Sequence, residues 1–365
     1  MSSPSAFIGD PDTTSGFPLK DCGNDIREHM KKFIFLLGMG LFFLAHNVFA
    51  EETIELKISH FAPPTWTPQK DILEPWAKKI ETLTNGRVHF SFFPKEALGK
   101  GSEQYNLAVK GTADIALSVT EYSPGRFPLT SSMRLPFLSK SAERNSLVLW
   151  SLYQKYLQEE YKDTKVLWLF CHGAGHLHTV SKPVKTLEDI KGLRLRVADP
   201  ALGKVVELLG AIPVVSTAPE GYQLLQEGKV DGAIIAWSGA IDFKYLELCK
   251  YHTEINMYTL PMFVAMNKEK YTSLPEDVKK IFDENSGEKM AVMTGRAFDN
   301  VDVKAKKIAQ DRGDFIYSLP KAEHERWKKI TVVVGDHWVE EMKAKGLPGQ
   351  EVLAYVVDLF IQLQK

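Results

Sequence analysis

Three cysteines among 365 residues are too few for a disulfide framework. The two in the body of the chain, Cys171 and Cys249, stand far apart with no C-x-x-C spacing, and they are not expected to pair. Neither sign of charge is in excess, since 45 Lys and Arg face 46 Asp and Glu. No basic stripe therefore invites nucleic acid, and no polybasic tract invites a membrane surface. Long apolar runs are missing as well. Phe33 to Ala45 holds thirteen apolar or glycine residues, short of the roughly 20 that cross a bilayer. A P-loop, a Gly-x-Ser-x-Gly elbow and a His-Glu-x-x-His pair are all absent, so nothing in the motif inventory predicts an enzyme or a cofactor.

What is present begins with a targeting pattern. Met30-Lys31-Lys32, the apolar run and then Val48-Phe49-Ala50 read as the basic region, apolar region and small-residue cleavage position of a secretory signal peptide. Residues 30–50 are assigned to it, residues 1–29 to an extension ahead of a better start at Met30, and the mature chain to Glu51 onward. The first fifty residues carry four Lys or Arg and five Asp or Glu, so the remainder is balanced. It is long enough for two lobes with cores of their own.

The body of the chain alternates strands and helices. Ile54, Leu56 and Ile58 share one face of a first strand, which ends in the Pro-rich loop His60-Phe61-Ala62-Pro63-Pro64-Thr65-Trp66. Ile72, Trp76 and Ile80 place a helix over 68–84, stopped at Asn85-Gly86, and a second strand follows over 87–93. This order predicts a parallel sheet. A repeat then appears: Glu103, Tyr105, Leu107, Gly111 and Asp114 line up on Glu220, Tyr222, Leu224, Gly228 and Asp231 at an offset of 117. Each copy reads as a helix closed by a left-handed glycine and followed by an apolar strand, which suggests two related lobes. Pro275 opens a helical pattern running to about residue 311, and two more helices are read over 321–345 and 349–364.

The stretch with the most chemistry is Leu187 to Asp199. After Gly192, Leu193, Leu195 and Val197 point to one face of a strand and Arg194 and Arg196 to the other. A guanidinium there meets an anion, either a neighbouring acid or a ligand carboxylate matched to its planar fork. Upstream, His172, His176 and His178 fall within seven residues. Alternation puts His176 and His178 on one face, yet no carboxylate stands nearby to complete a metal site and no His-Glu-x-x-His pair is present, so no metal is expected. Tyr122, in the loop after the strand 115–119, can lie against a ligand. Trp237 can form a flat wall, and Phe263 on the returning strand 260–267 is expected in the cleft.

The run Lys182-Pro183-Val184-Lys185-Thr186 through Leu193-Arg194-Leu195-Arg196-Val197-Ala198-Asp199 resembles the signature of TRAP (tripartite ATP-independent periplasmic) transporter solute-binding proteins, the DctP family. Asn85-Gly86-Arg87-Val88 with Phe93-Pro94 and Leu98-Gly99 is similar to that family too. The resemblance implies an α/β, two-lobed periplasmic-binding-protein type II fold with mixed sheets, a cleft between the lobes and a long C-terminal helix spanning both. It implies that Arg196 grips the carboxylate of a small organic acid. It also implies delivery to TRAP permease subunits in the membrane, powered by an ion gradient. A second Arg common in the family is replaced here by His176, and an Asn common near Trp237 is replaced by Ile235-Ala236. The expected lobes are 51–172 with 262–305, and 173–261 with 306–365. Expected substrate-binding residues are Arg196, His176, Trp237, Tyr122, Phe61, Trp66, Phe263 and His178, in a periplasmic monomer without a cofactor. Two other readings stay open: a ligand-sensing module for a membrane kinase, and a secreted hydrolase with a metal on the histidines.

Overall fold

A computed structural model describes Thr53–Leu363 together with the single residue Arg27; the expected extension and signal peptide lie outside the described residues, Arg27 aside. The first strand, β1 (Ile54–His60), leads through a π-helical turn (Pro68–Leu73) into α1 (Glu74–Leu83) and β2 (Val88–Phe93). There follow α2 (Gln104–Val109), β3 (Ile115–Val119), α3 (Ala142–Leu152) and β4 (Thr164–Cys171). The chain then passes into β5 (Gly175–Thr179), β6 (Arg194–Val197), α4 (Pro200–Leu208), β7 (Ile212–Val215), α5 (Ala218–Gln226) and β8 (Gly232–Ala236). Next come α6 (Trp237–Asp242), α7 (Tyr245–Leu248), β9 (Tyr251–Glu254) and the returning β10 (Pro261–Asn267). The remainder is α8 (Lys268–Ser273), α9 (Glu276–Glu284), α10 (Glu288–Asp311), β11 (Phe315–Ser318), α11 (Lys321–Thr331), α12 (Val333–Ala344) and α13 (Gly349–Gln362).

These strands form two mixed sheets, one per lobe, ordered β2-β1-β3-β10-β4 and β11-β9-β5-β8-β6-β7. In the first, β1 runs parallel to β2 and β3, while β10 is antiparallel to both β3 and β4. In the second, β6 is parallel to β7 and β8, and β5 is antiparallel to β8 and β9. The buried, nearly continuous apolar runs of β4 and β10 follow from cover on both faces. No described helix is long and apolar enough to cross a membrane.

The repeat seen in the sequence is a structural one. Gly111 and Gly228 both adopt positive φ, +71° and +65°, where a side chain would be strained. Each copy then turns its aspartate back onto the preceding parallel strand of its own sheet. Asp114 Oδ2 accepts from the backbone N–H of Lys57 at 2.8 Å, and Asp231 Oδ2 accepts from that of Arg194 at 2.8 Å.

Two expectations are corrected at the C-terminal end. The pattern from Pro275 to 311 is two helices, because Gly287 at φ +74° takes a conformation that a helix interior does not contain. The second of them, α10, has 24 residues and is roughly 36 Å long at 1.5 Å per residue. It packs against α3 and β4 of the first lobe and α6 of the second, so of the two helices in this pattern it is α10 that takes the spanning role. The last two helices do not join the second lobe. Trp338 and Met342 of α12 and Val352, Val356 and Phe360 of α13 pack with Leu149, Leu152 and Leu169, because the apolar face of α3 and β4 lies open to them.

Asp231 also receives the Arg194 guanidinium, whereas Asp114, among the described residues, contributes its side-chain bond to the backbone of β1. Asp114→Ala should therefore cost about 1 kcal/mol and lower Tm by a few degrees, with Asp231→Ala costing more. Urea denaturation of both variants checks this; an equal or reversed order would show that the Arg194 pairing adds nothing to the role the two aspartates share.

Candidate functional site

Arg194 and Arg196 share a face of β6, as alternation requires, but meet different fates. Arg194, at the exposed start of the strand, places Nη2 2.6 Å from Asp231 Oδ1. Arg196 lies two residues deeper, between β7 and β8, and is 1 % exposed. Its Nε and Nη2 both donate to the Ser216 carbonyl, at 3.1 and 2.6 Å. Around it stand the phenols of Tyr122, Tyr245 and Tyr258. Among the described residues, no Asp or Glu lies within ion-pair distance of this guanidinium. A buried cation without a counter-charge costs several kcal/mol, and here the protein supplies only a carbonyl and phenols against it.

The stem of Arg196 passes beside Gly221 of α5. A Cβ at Gly221 would lie 2.7 and 2.9 Å from Arg196 Cγ and Cδ, and against the Tyr245 hydroxyl. The matching position of the first repeat copy is Gln104, where no arginine needs passage. The glycine is therefore a space requirement of the buried arginine.

Arg196 forms one wall of a cavity of about 50 Å³, several times the roughly 10–15 Å³ that one water needs. Phe61, Trp66 and Tyr122 enter from the first lobe; Ile235, Phe243 and Tyr258 enter from the second, and Phe298 enters from α10. Phe61 lies 5.1 Å from Trp66 and 5.2 Å from Tyr122 between ring centroids, and near-parallel to Phe243 at 6.2 Å. Among the described residues, Arg196 is the single charged one lining the cavity. One turn beyond Phe298 on α10, Asp302 Oδ1 accepts from the Ser238 N–H at 2.5 Å, fixing the start of α6 at the cavity edge.

Of the residues expected at the site, the fold brings Arg196, Tyr122, Phe61 and Trp66 into one cavity and leaves the other four outside it. Phe263 is fully buried against Tyr105 and Phe127 in the first lobe. Its neighbour Met262 has the parity that faces the cavity. His176 and His178 share a face of β5, but it is the face packed with Trp237 and His252. There His178 Nδ1 lies 2.7 Å from His252 Nδ1, His252 Nε2 reaches Asp314 at 3.2 Å, and Trp237 Nε1 points to Glu254 at 3.4 Å. Burial lowers the pKa of His176 to about 4 and takes that of His178 well below its usual value, so both are neutral near pH 7.

His172 is the histidine that lines the cavity. Its Nδ1 donates to the Gly173 carbonyl and its Nε2 accepts from the Leu260 N–H at 3.1 Å, so both nitrogens serve the strand crossing. Among the described residues, no group of three or more His, Cys, Asp or Glu is arranged to hold a metal. Phe243, Tyr258 and Phe298 line the cavity without standing in the expected set. Tyr258, Leu260 and Met262 alternate along the crossing segment, a signal from which Tyr258 and Met262 can be picked out.

At the cavity rim Arg134 links the lobes, with Nε 3.7 Å from Glu121 Oε1 and Nη1 3.3 Å from Asp199 Oδ1. Asp199 Oδ1 also caps α4 through the N–H groups of Ala201 and Leu202. Burial pushes the Glu121 carboxyl from 4.5 up to about 7, with Arg134 opposing the shift and Asp199 adding to it. Glu121 thus binds its proton more tightly folded than unfolded. Its contribution is fully present below its unfolded value and is lost as pH rises through about 7. Glu121→Gln should leave the unfolding free energy little changed at pH 5 and raise it at pH 8 by an amount on the order of 3 kcal/mol, as denaturant titration at the two pH values would read; a larger gain at pH 5 than at pH 8 would refute the assignment. Gly221→Ala, a favourable change for an isolated helix, should instead lower Tm and weaken ligand binding by displacing Arg196, a pairing that thermal shift with and without ligand would reveal.

Residues 58–341 match the bacterial extracellular solute-binding protein family 7, DctP. A TRAP solute-binding protein from Rhodoferax ferrireducens T118, solved with copurified benzoate, is 33% identical with a TM-score of 0.82 over 85% of this chain and 98% of its own. A marine metagenome TRAP protein specific for aromatic acid ligands, solved with 3-hydroxybenzoate, is 32% identical with a TM-score of 0.83 over 86% of this chain and 100% of its own. A Bordetella bronchiseptica TRAP periplasmic protein with bound (R)- and (S)-mandelate is 31% identical with a TM-score of 0.79 over 85% and 99%. The two-sheet α/β fold, the buried arginine that meets no acid among the described residues of its interlobe cavity and these similarities agree: the chain belongs to family 7 of the bacterial extracellular solute-binding proteins, the DctP family of TRAP transport receptors.

Proposed function

We propose that this receptor captures a monocarboxylic acid bearing an aromatic ring and delivers it to a TRAP permease for uptake driven by an ion gradient. The observation that carries the reading is the buried Arg196 guanidinium, without an acidic partner and at the wall of an otherwise uncharged cavity among the described residues. A carboxylate entering there supplies the missing counter-charge through charge-assisted hydrogen bonds. Phe61, Trp66, Phe243 and Phe298 then offer ring faces and edges to the remainder of the solute. One cation matches one anionic group. A second carboxylate, or the hydroxyls of a sugar acid, would be buried against Phe, Trp, Leu and Met side chains at a cost of several kcal/mol. The aromatic acids bound by three relatives at 31–33% identity support the same class.

Export through the segment 30–50, with a periplasmic, monomeric and non-catalytic mature form, completes the reading. It rests on the basic-then-apolar pattern of that segment and on the family's extracellular character.

Calorimetric titration with benzoate, 3-hydroxybenzoate and mandelate, beside succinate and glucuronate, tests the proposal. Aromatic acids should bind and the others should not. Arg196→Ala should weaken binding by roughly 3–5 kcal/mol, beyond a hundredfold in Kd. Unchanged affinity in that variant would remove Arg196 from the site.

A further inference from the structure

The hydrogen bonds around Arg196 single out one proton. Three phenols surround the guanidinium, and each can donate one hydrogen bond. Tyr245 donates to the Ala218 carbonyl at 2.8 Å, and Tyr258 donates to the Ile234 carbonyl at 3.2 Å. The Tyr122 oxygen behaves differently: it accepts from the Ala218 N–H at 3.1 Å. Its other polar neighbour is the Arg196 guanidinium, which can only donate. Among the described residues no oxygen accepts the Tyr122 proton. The Ala218 N–H and the Arg196 guanidinium thus both converge on the Tyr122 oxygen at the cavity wall, while the phenol's own proton is left without an acceptor among the described residues. A buried polar group left so is costly unless a partner arrives.

We infer that the Tyr122 hydroxyl is the second donor to the ligand's carboxylate, acting across the cleft from Arg196. This deepens the aromatic-acid reading and rests on it. Tyr122 stands on the first lobe, three residues beyond β3, whereas Arg196 and Ala218 belong to the second. One carboxylate held by both residues therefore joins the two lobes, so that recognition of the anion and closure of the cleft become a single event. The phenol is suited to this. Burial raises its pKa above the ordinary tyrosine value, with Arg196 opposing the shift, so it keeps its proton and remains a donor through the neutral range. A neutral donor paired with one arginine also adds no second positive charge. The grip is thereby matched to a monoanion, and a dianion would bring a charge that neither residue balances.

Two replacements at residue 122, measured by benzoate titration at pH 6, test this. Tyr122→Phe keeps the ring and removes the hydroxyl, and should weaken benzoate binding roughly 10- to 100-fold, the worth of a hydrogen bond to a charged group. That loss alone would also follow if the hydroxyl served only to accept from Ala218. The second replacement, 3-fluorotyrosine, separates the two roles by sign. Its phenol is a stronger donor and a weaker acceptor, so donation to the carboxylate predicts tighter benzoate binding than wild type, and a purely accepting role predicts weaker binding. Tyr122→Phe within threefold of wild type, or weaker binding with fluorotyrosine, overturns the inference while leaving the aromatic-acid reading intact. Failure of the wild-type protein to bind benzoate, 3-hydroxybenzoate and mandelate overturns both.

Discussion

A guanidinium buried without a counter-ion among the described residues governs the arrangement of the cavity. Arg196 could have been neutralised by an aspartate, as Arg194 is two residues earlier, and the structure instead surrounds it with a carbonyl and three phenols. Keeping a charge in such surroundings is unfavourable by several kcal/mol, and the fold tolerates it through the rest of its packing. The consequence is an unbalanced positive charge to which an anion is drawn. Neighbouring features follow from accommodating it: Gly221 leaves room for the stem, Ser216 offers its carbonyl, and Tyr245 commits its proton to Ala218 so that it cannot compete for a carboxylate.

Charge at the rim is treated in the opposite way. Glu121 and Asp199, from opposite lobes, face the single Arg134. This triad ties the chain just after β3 to the N-terminus of α4, and Tyr122 and Arg196 lie within three residues of its acids. The ion-paired rim and the unpaired cavity thus occupy the same two chain segments. The long helix α10 crosses behind them, contributing Phe298 to the cavity and Asp302 to the start of α6. Closure and binding are therefore built on shared elements.

Much of the scaffold is legible in the amino-acid sequence. Strand alternation locates β1, β2 and β6, an apolar run marks β10, glycines at positive φ mark the ends of α1, α2 and α5, and the repeat at offset 117 announces two related lobes. Asp114 and Asp231 give the repeat a physical meaning that the pattern cannot state, a side chain returning to the backbone of the partner strand. Where expectation and structure part, the reason is parity or remoteness. Met262 faces the cavity in place of Phe263, one residue away, because the run is apolar on both faces and alternation cannot say which face meets the cleft. Chain order suggests the second lobe for the last two helices, whereas the exposed face of α3 and β4 draws them to the first.

By itself the sequence determined local matters: which segments are strands, where helices end, that Arg194 and Arg196 share a face, and that His176 and His178 share another. These depend on backbone sterics and side-chain period within a few residues. Only the tertiary structure decided that Arg194 meets an acid while Arg196 does not, that the two histidines turn from the cavity toward His252, and that Tyr122 meets Ala218, a residue 96 positions away. Periodicity orders side chains relative to their own strand, but the partner that satisfies or leaves open a hydrogen bond arrives from distant segments whose placement depends on the packing of the whole chain.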